Sequence, residues 1–317
     1  MAPPFARILL AYDESAGSRI ALNYACGLVE PGATLSVTHA LAQSNFIASA
    51  AKAGAFPPTD PQPMIDAVDE FGDGILKTAV EACAALGIVA HKVLAHGAPV
   101  DAVVAAAKQV HADLIVVGTH ARKGIARAVQ GSVAESIVRA SDVPVLVVTR
   151  HVKLPRSKPV FVRALVAIDE SDPSTAALAA AGRLSTGFGT RLTLCNVVDS
   201  SGAESGRGDE NAIESDVTAA VTFFLARASA AKDIAPFLDD EIVVEGAPAD
   251  AIEHAARQAN CDVIVVGSHR RRGLQRLFDG SVSESVARSS ALPVLVVPAR
   301  HEQSGTETED AGRREPA

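Results

Sequence analysis

One unit occurs twice in this chain, and the duplication limits its fold more than any other feature. RILLAYDES (7–15) returns as RALVAIDES (163–171), and HGAPVDAVVAAAKQVHADLIVVG (96–118) returns as EGAPADAIEHAARQANCDVIVVG (245–267). From His111 to Thr149 the chain matches Asn260 to Pro298 at 21 of 39 positions without a gap. At 317 residues there is room for about two domains of ordinary size. Whatever one half folds into, the other half must repeat.

Each copy alternates short apolar runs with helical segments. In copy one the runs RILLAY, TLSVTHA, VAHKVLA, DLIVVG and VPVLVVT read as strands. Helices are expected over Ser15–Leu28, Met64–Leu86, Pro99–Val110 and Gly131–Ala140. Copy two gives RALVAI, RLTLCNVV, DEIVVEG, DVIVVG and LPVLVVP. Its helices are expected up to Leu184, from near Ile213 to Ala231, from Asp250 to Gln258, and after Gly280. Strands alternating with helices imply parallel βαβ units, and continuous apolar runs fit strands covered on both faces. The expected class is α/β: two tandem, open, doubly wound parallel-sheet domains, 1–150 and 163–300. Residues 151–162 read as a linker and 301–317 as a disordered tail. Residues 200–211 read as a mobile loop, and FPPTDPQP (56–63) as an extended connection.

Composition narrows the function classes. Aromatics make up 4% and there is no Trp, which disfavours stacking platforms for single-stranded nucleic acid. A formal net charge of −8 argues against a general nucleic-acid or membrane-surface binder. No apolar run approaches the ~18 residues of a membrane span, and the N-terminus has no signal-peptide pattern. Cys26, Cys83, Cys195 and Cys261 are scattered without CxxC or zinc-type spacing, so buried reduced thiols in a cytoplasmic protein are expected.

In an open parallel sheet, ligands bind beyond the carboxyl ends of strands where strand order reverses. Three features meet that edge in each copy. Asp13 and Asp169 end the first strand. The loops GTHARKG and GSHRRRG, opening at Gly118 and Gly267, end the fourth. GSVAES and GSVSES start the next helix, whose free N–H groups attract an anion. Structural readings compete with each of these. The glycines could simply end strands. Ser132 with Glu135, and Ser281 with Glu284, fit a capping box, and the aspartates could help cap the helices that follow them. His120 and His269 lack a nearby base or nucleophile in sequence, which favours a loop-orienting or solvent role. Arg122, Lys123 and Arg127, with Arg270, Arg271, Arg272 and Arg276, are either phosphate partners or solvated helix-flanking charges. There is no Walker G-x4-GK-[ST] loop.

AYDES, GTHARKGIARAVQGSVAES and PVLVV together resemble the universal stress protein family, over nearly the whole chain and twice, as in its tandem members. ATP-binding members carry a strand-end Asp and the pattern G-x2-G-x9-G-[ST]. The resemblance implies nucleotide contacts at Asp13, Ala40, Gly118, Ala121, Gly131, Ser132 and Val133 in copy one. In copy two it implies Asp169, Val197, Gly267, Arg270, Gly280, Ser281 and Val282. Ala40 and Val197 would offer backbone groups to adenine. The implied ligand is ATP, with ADP or AMP as alternatives and Mg²⁺ accompanying a triphosphate.

Both copies depart from the pattern at its second glycine. Ala121 adds a β-carbon that a small shift can accommodate. Arg270 either fills the triphosphate pocket or binds the phosphates through its guanidinium. Copy one is therefore the better candidate. The expected function is a stress-response protein using an adenine nucleotide as a regulatory ligand rather than as the substrate of an enzyme. A nucleotide-free interaction module is the alternative, with a slow ATPase as a weaker one. In either case the last strands, VPVLVV and LPVLVV, are expected to join the copies as an intramolecular pseudo-dimer, with a homodimer as a further option.

Overall fold

The computed structural model describes residues 3–41, 62–119, 133–155, 158–169, 171–198, 234–268 and 282–299. Copy one comprises β1 (Arg7–Ala11), α1 (Ala16–Gly27), β2 (Thr34–Leu41), α2 (Gln62–Ala85), β3 (Ala90–His96), α3 (Pro99–Gln109), β4 (Leu114–Thr119), α4 (Val133–Ala140) and β5 (Val145–Thr149). Copy two comprises β6 (Arg163–Ala167), α5 (Asp172–Phe188), β7 (Arg191–Val198), β8 (Leu238–Glu245), α6 (Pro248–Gln258), β9 (Val263–Ser268), α7 (Val282–Ser289) and β10 (Val294–Pro298).

The strands form one ten-stranded sheet in the order β3-β2-β1-β4-β5-β10-β9-β6-β7-β8. Every neighbouring pair is parallel except β5 and β10, which meet antiparallel with Val145 opposite Val296, Leu146 opposite Leu295 and Val147 opposite Val294. The expected joining of the copies through their last strands is thus present in the structure. Each half has its reversal of strand order between its first and fourth strands, which sets the place for a crevice.

Alternation along the strands supplies both faces of the core. Ile8 and Leu10 of β1, with Leu114 and Val116 of β4, point to a layer that includes α1, α2 and α5. Leu9, Ile115 and Val117 point the other way, toward a layer that includes α3, α4, α6 and α7. Leu9 and its counterpart Leu165 are wholly buried, so truncating either to Ala would cost about 2–5 kcal/mol. All four cysteines are free and buried. An aspartate clips the entry of each first strand. Asp113 accepts from the backbone N–H groups of Ala6 (2.8 Å) and Arg7 (2.9 Å), and Asp262 from those of Val162 (2.8 Å) and Arg163 (3.3 Å). Burial raises the Asp262 carboxyl above its ordinary range, and these N–H groups partly offset the rise.

Three expectations shift. Gln62 and Pro63, expected in an extended connection, begin α2, because Pro is tolerated in a first turn whose N–H groups lack helical partners. Helix α5 runs a turn beyond Leu184, to Phe188, and stops at Gly189, which adopts φ 74. Strand β8 starts at Leu238, two residues before the expected DEIVVEG run, after a short 3-10 turn over Ala235–Phe237. The expected helix near 213–231, the loop 200–211 and the tail 301–317 lie outside the described residues.

The residues ahead of each first strand pack on the other copy. Phe161 stacks on Tyr24 of α1 with ring centroids 5.9 Å apart, and the Tyr24 hydroxyl donates to the Lys153 carbonyl (2.8 Å). A Cβ on Gly27 of α1 would fall 2.2 Å from a Val160 methyl. Reciprocally, the Arg183 guanidinium of α5 lies 5.0 Å above the Phe5 ring, and a Cβ on Gly187 would fall 2.6 Å from Pro4. Val152, Val160 and Phe161 of the expected linker are buried. They are part of the core.

Candidate functional site

The carboxyl ends of β1, β2 and β4 bring Asp13, Ala40 and Gly118 to one edge of copy one. The ends of β6, β7 and β9 do the same for Asp169, Val197 and Gly267 in copy two. Both aspartates are exposed, and the other four residues are half-buried. Val133 and Val282, the first residues of α4 and α7, are exposed as well. Ala121, Gly131, Ser132, Arg270, Gly280 and Ser281 lie outside the described residues, as do His120, His269 and the basic groups of both loops.

Gly118 and Gly267 have a packing reason to be glycine. A Cβ on Gly118 would fall 2.3 Å from the Gly17 carbonyl carbon and 2.3 Å from the Ser18 nitrogen, both in the first turn of α1. On Gly267 it would fall 2.4 Å from the backbone of Pro173, in the first turn of α5. No side chain fits, because the obstacles are backbone or a rigid ring. The result is useful to a ligand: the N-terminus of the first helix is pressed against the end of the fourth strand, beside the reversal of strand order.

The second strand steadies the same edge. In copy one the His39 Nδ1–H donates to the Tyr12 carbonyl at 2.8 Å, since a carbonyl oxygen can only accept. In copy two Asn196 Nδ2 donates to the Ile168 carbonyl at 3.0 Å. Two different side chains thus latch the residue that follows each first strand, and they sit one position before Ala40 and Val197. The Tyr12 hydroxyl is raised by burial, while Arg19 pulls it the other way.

The aspartates differ in their surroundings. In copy one Ser15 caps α1, its Oγ accepting from the Ser18 N–H at 3.0 Å, and its own N–H donates to Asp13 Oδ1 at 3.2 Å. The two hydroxyls bond one another at 3.2 Å, and Ser18 Oγ also donates to the Ser15 carbonyl. In copy two both hydroxyls turn to the carboxylate instead. Asp169 Oδ1 accepts from Ser174 Oγ at 2.6 Å, from the Ser171 N–H at 2.9 Å and from the Ser171 hydroxyl. Ser171 consequently gives α5 no side-chain cap. A ligand hydroxyl reaching that oxygen must displace a serine.

Sequence reasoning missed the latch of His39 and Asn196, although one polar side chain near the end of each second strand was visible. It also missed a pair of ion bridges between the copies. Arg288 Nε of α7 lies 3.0 Å from Glu135 Oε1 of α4, and Arg139 of α4 lies 3.3 Å from Glu284 Oε1 of α7. In the sequence both glutamates present themselves only as capping-box members. Among the described residues no three His, Cys, Asp or Glu side chains are grouped to hold a metal ion, and no helix is long and apolar enough to cross a membrane.

Known proteins resemble this chain over one or both of its halves. Universal stress protein Rv2005c of Mycobacterium tuberculosis is 30% identical over 189 residues, a match spanning 58% of this chain and 61% of that protein. Universal stress protein YxiE of Bacillus subtilis is 32% identical over 149 residues, 45% of this chain and 99% of that one. Among solved structures, a universal stress protein from Archaeoglobus fulgidus superposes with a TM-score of 0.66 at 24% identity, covering 93% of this chain and 97% of that one, which speaks for the fold. The family profile of the Universal stress protein family matches residues 4–149 and again 161–298. With both halves matched and joined strand to strand in one sheet, the chain belongs to the universal stress protein family and carries that family's domain twice.

Proposed function

We propose that this protein binds an adenine nucleotide, ATP or a close relative, as a regulatory ligand, with copy one as the principal site. The observation carrying this reading is the meeting of Asp13, Ala40 and Gly118 beside the reversal of strand order, with α4 beginning just beyond the glycine–serine pair Gly131–Ser132. Such a crevice offers a carboxylate for ribose hydroxyls, backbone groups for a base and helix N–H groups for phosphates. Mg²⁺ would be held mainly by the phosphate oxygens and water, in keeping with its preference for few protein ligands. In copy two, Arg270 in the loop and the serine-bound Asp169 favour a weaker or different occupant. The nucleotide acts by population shift, changing the surface offered to partners in a stress response.

The test is direct. Denatured protein is examined for released adenine nucleotide by chromatography and mass spectrometry, and ATP is titrated by calorimetry. Absence of both bound nucleotide and heat at millimolar ATP would sink the reading. Gly131→Val, which crowds the start of α4, is expected to abolish binding. If only Gly280→Val does so, copy two is the principal site.

A further inference from the structure

One side chain of α1 acts on both neighbours of Asp13 in the turn that leaves β1. Arg19 Nε donates to the Glu14 carbonyl at 3.0 Å. On the other side, burial raises the Tyr12 hydroxyl, and the Arg19 guanidinium draws it down through its charge and a hydrogen bond. Glu14 adopts φ 61, a left-handed conformation that is costly for a residue with a β-carbon and persists only where its surroundings support it. The strand side of the turn is fixed separately. The Tyr12 N–H donates to the Thr38 carbonyl at 2.9 Å, His39 holds the Tyr12 carbonyl, and the Asp13 N–H reaches the Ser18 hydroxyl at 3.4 Å. Copy two is built otherwise. Ile168 and Thr175 stand where Tyr12 and Arg19 stand in copy one, and Ser171 and Ser174 grip Asp169.

A carboxylate that receives hydrogen bonds from ribose hydroxyls gains most when its direction is set before the ligand arrives. The conformation at Glu14 sets how the chain turns away from Asp13, and Arg19 is the side chain that holds the Glu14 carbonyl. We propose that Arg19 is a positioning residue for the copy-one nucleoside site, keeping Glu14 left-handed so that Asp13 meets the ribose in a fixed orientation. Arg19 is itself exposed, so replacing it opens no cavity in the core. This rests on the nucleotide reading above and adds a residue of α1 that acts through the backbone rather than by touching the ligand.

The experiment measures, by calorimetry on the full chain, the affinities of ATP and of its dideoxy analogue, which lacks both ribose hydroxyls. Arg19→Met is expected to weaken ATP by about three- to tenfold, the worth of one hydrogen bond, and to leave the dideoxy analogue unchanged. Glycine tolerates a positive φ without support, so in a Glu14→Gly chain the further change Arg19→Met should weaken ATP by less than about twofold. The unfolding midpoint of every variant is followed alongside. Equal loss for both ligands would mean that Arg19 touches the phosphates or acts only on stability, and would overturn the proposal. So would an unchanged ATP affinity in Arg19→Met, or the same loss with and without Glu14→Gly. If the unmodified chain binds ATP but Asp13→Asn leaves that affinity intact, copy one is the wrong site and the proposal falls with it. If the unmodified chain binds neither ligand, the nucleotide reading itself fails.

Discussion

Copies one and two share a backbone plan but use it differently at the edge where a ligand would sit. In copy one, Ser15 caps α1 and leaves Gly17 to meet Gly118. In copy two the helix opens on Asp172 and Pro173, and Ser171 turns from capping to the Asp169 carboxylate. Proline at that position supplies a preset φ suited to a first turn, so the helix start depends less on a side-chain cap. A constraint met by backbone stiffness frees a hydroxyl for another partner. The two halves also differ where they grip one another. Phe161 finds the ring of Tyr24, whereas Phe5 finds the guanidinium of Arg183.

Phe161→Ala is the sharpest way to break the comparison. Phe161 is essentially fully buried against α1, and its loss should cost about 4 kcal/mol in chemical unfolding. Phe5→Ala, equally buried, should cost a similar amount less the aromatic pair, which is worth about 0.5–1.5 kcal/mol. A Phe161→Ala cost well below that of Phe5→Ala would show that the grip is not shared as the structure draws it.

Tyr24→Phe comes next, since it deletes the hydrogen bond to Lys153 at a cost of about 1 kcal/mol. Its pH signature is more telling. Burial, with Asp262 nearby, pushes the Tyr24 hydroxyl from 10.0 up to about 12. The stability this represents is fully present below pH 10, where the tyrosine is neutral both folded and unfolded. It is lost as pH rises toward about 12, because the unfolded chain ionises first. Unfolding midpoints across that window should fall more steeply in the wild type than in Tyr24→Phe, and parallel curves would contradict the burial argument.

The smallest expected effect separates the two helix starts. Ser15→Ala should destabilise by about 1 kcal/mol through loss of the cap, and Ser171→Ala by about half as much, since that serine does not cap. Equal costs by thermal unfolding would remove the distinction between the copies.

Much of the fold was legible because duplication and apolar runs are local patterns. Strand RILLA, strand VLVVT and helix α3 stand close to where their residue types place them. The end of α5 was not legible, since Gly187 looks like a helix breaker until Pro4 is seen to need its bare face. The candidate site divides in the same way. Asp13 and Gly118 were recognisable as residue types, but the backbone of Gly17 and Ser18 that excludes a Cβ at Gly118 belongs to a strand–helix crossing distant in sequence. Glu135 illustrates the limit well. Its place after Ser132 announces a cap, while its partner Arg288 lies in the other copy and shows only in three dimensions.

Thr149, the last residue of β5, donates its hydroxyl to the buried Ser290 carbonyl at 2.9 Å, and the matching residue of β10 is Pro298, which has no donor to return. In an assembly of two identical chains such a bond would occur twice or not at all. Here β5 meets β10, which covalent linkage holds at high effective concentration. The seam need only satisfy two unlike surfaces. Each half is thereby released from self-complementarity, and substitutions at one site need no echo at the other.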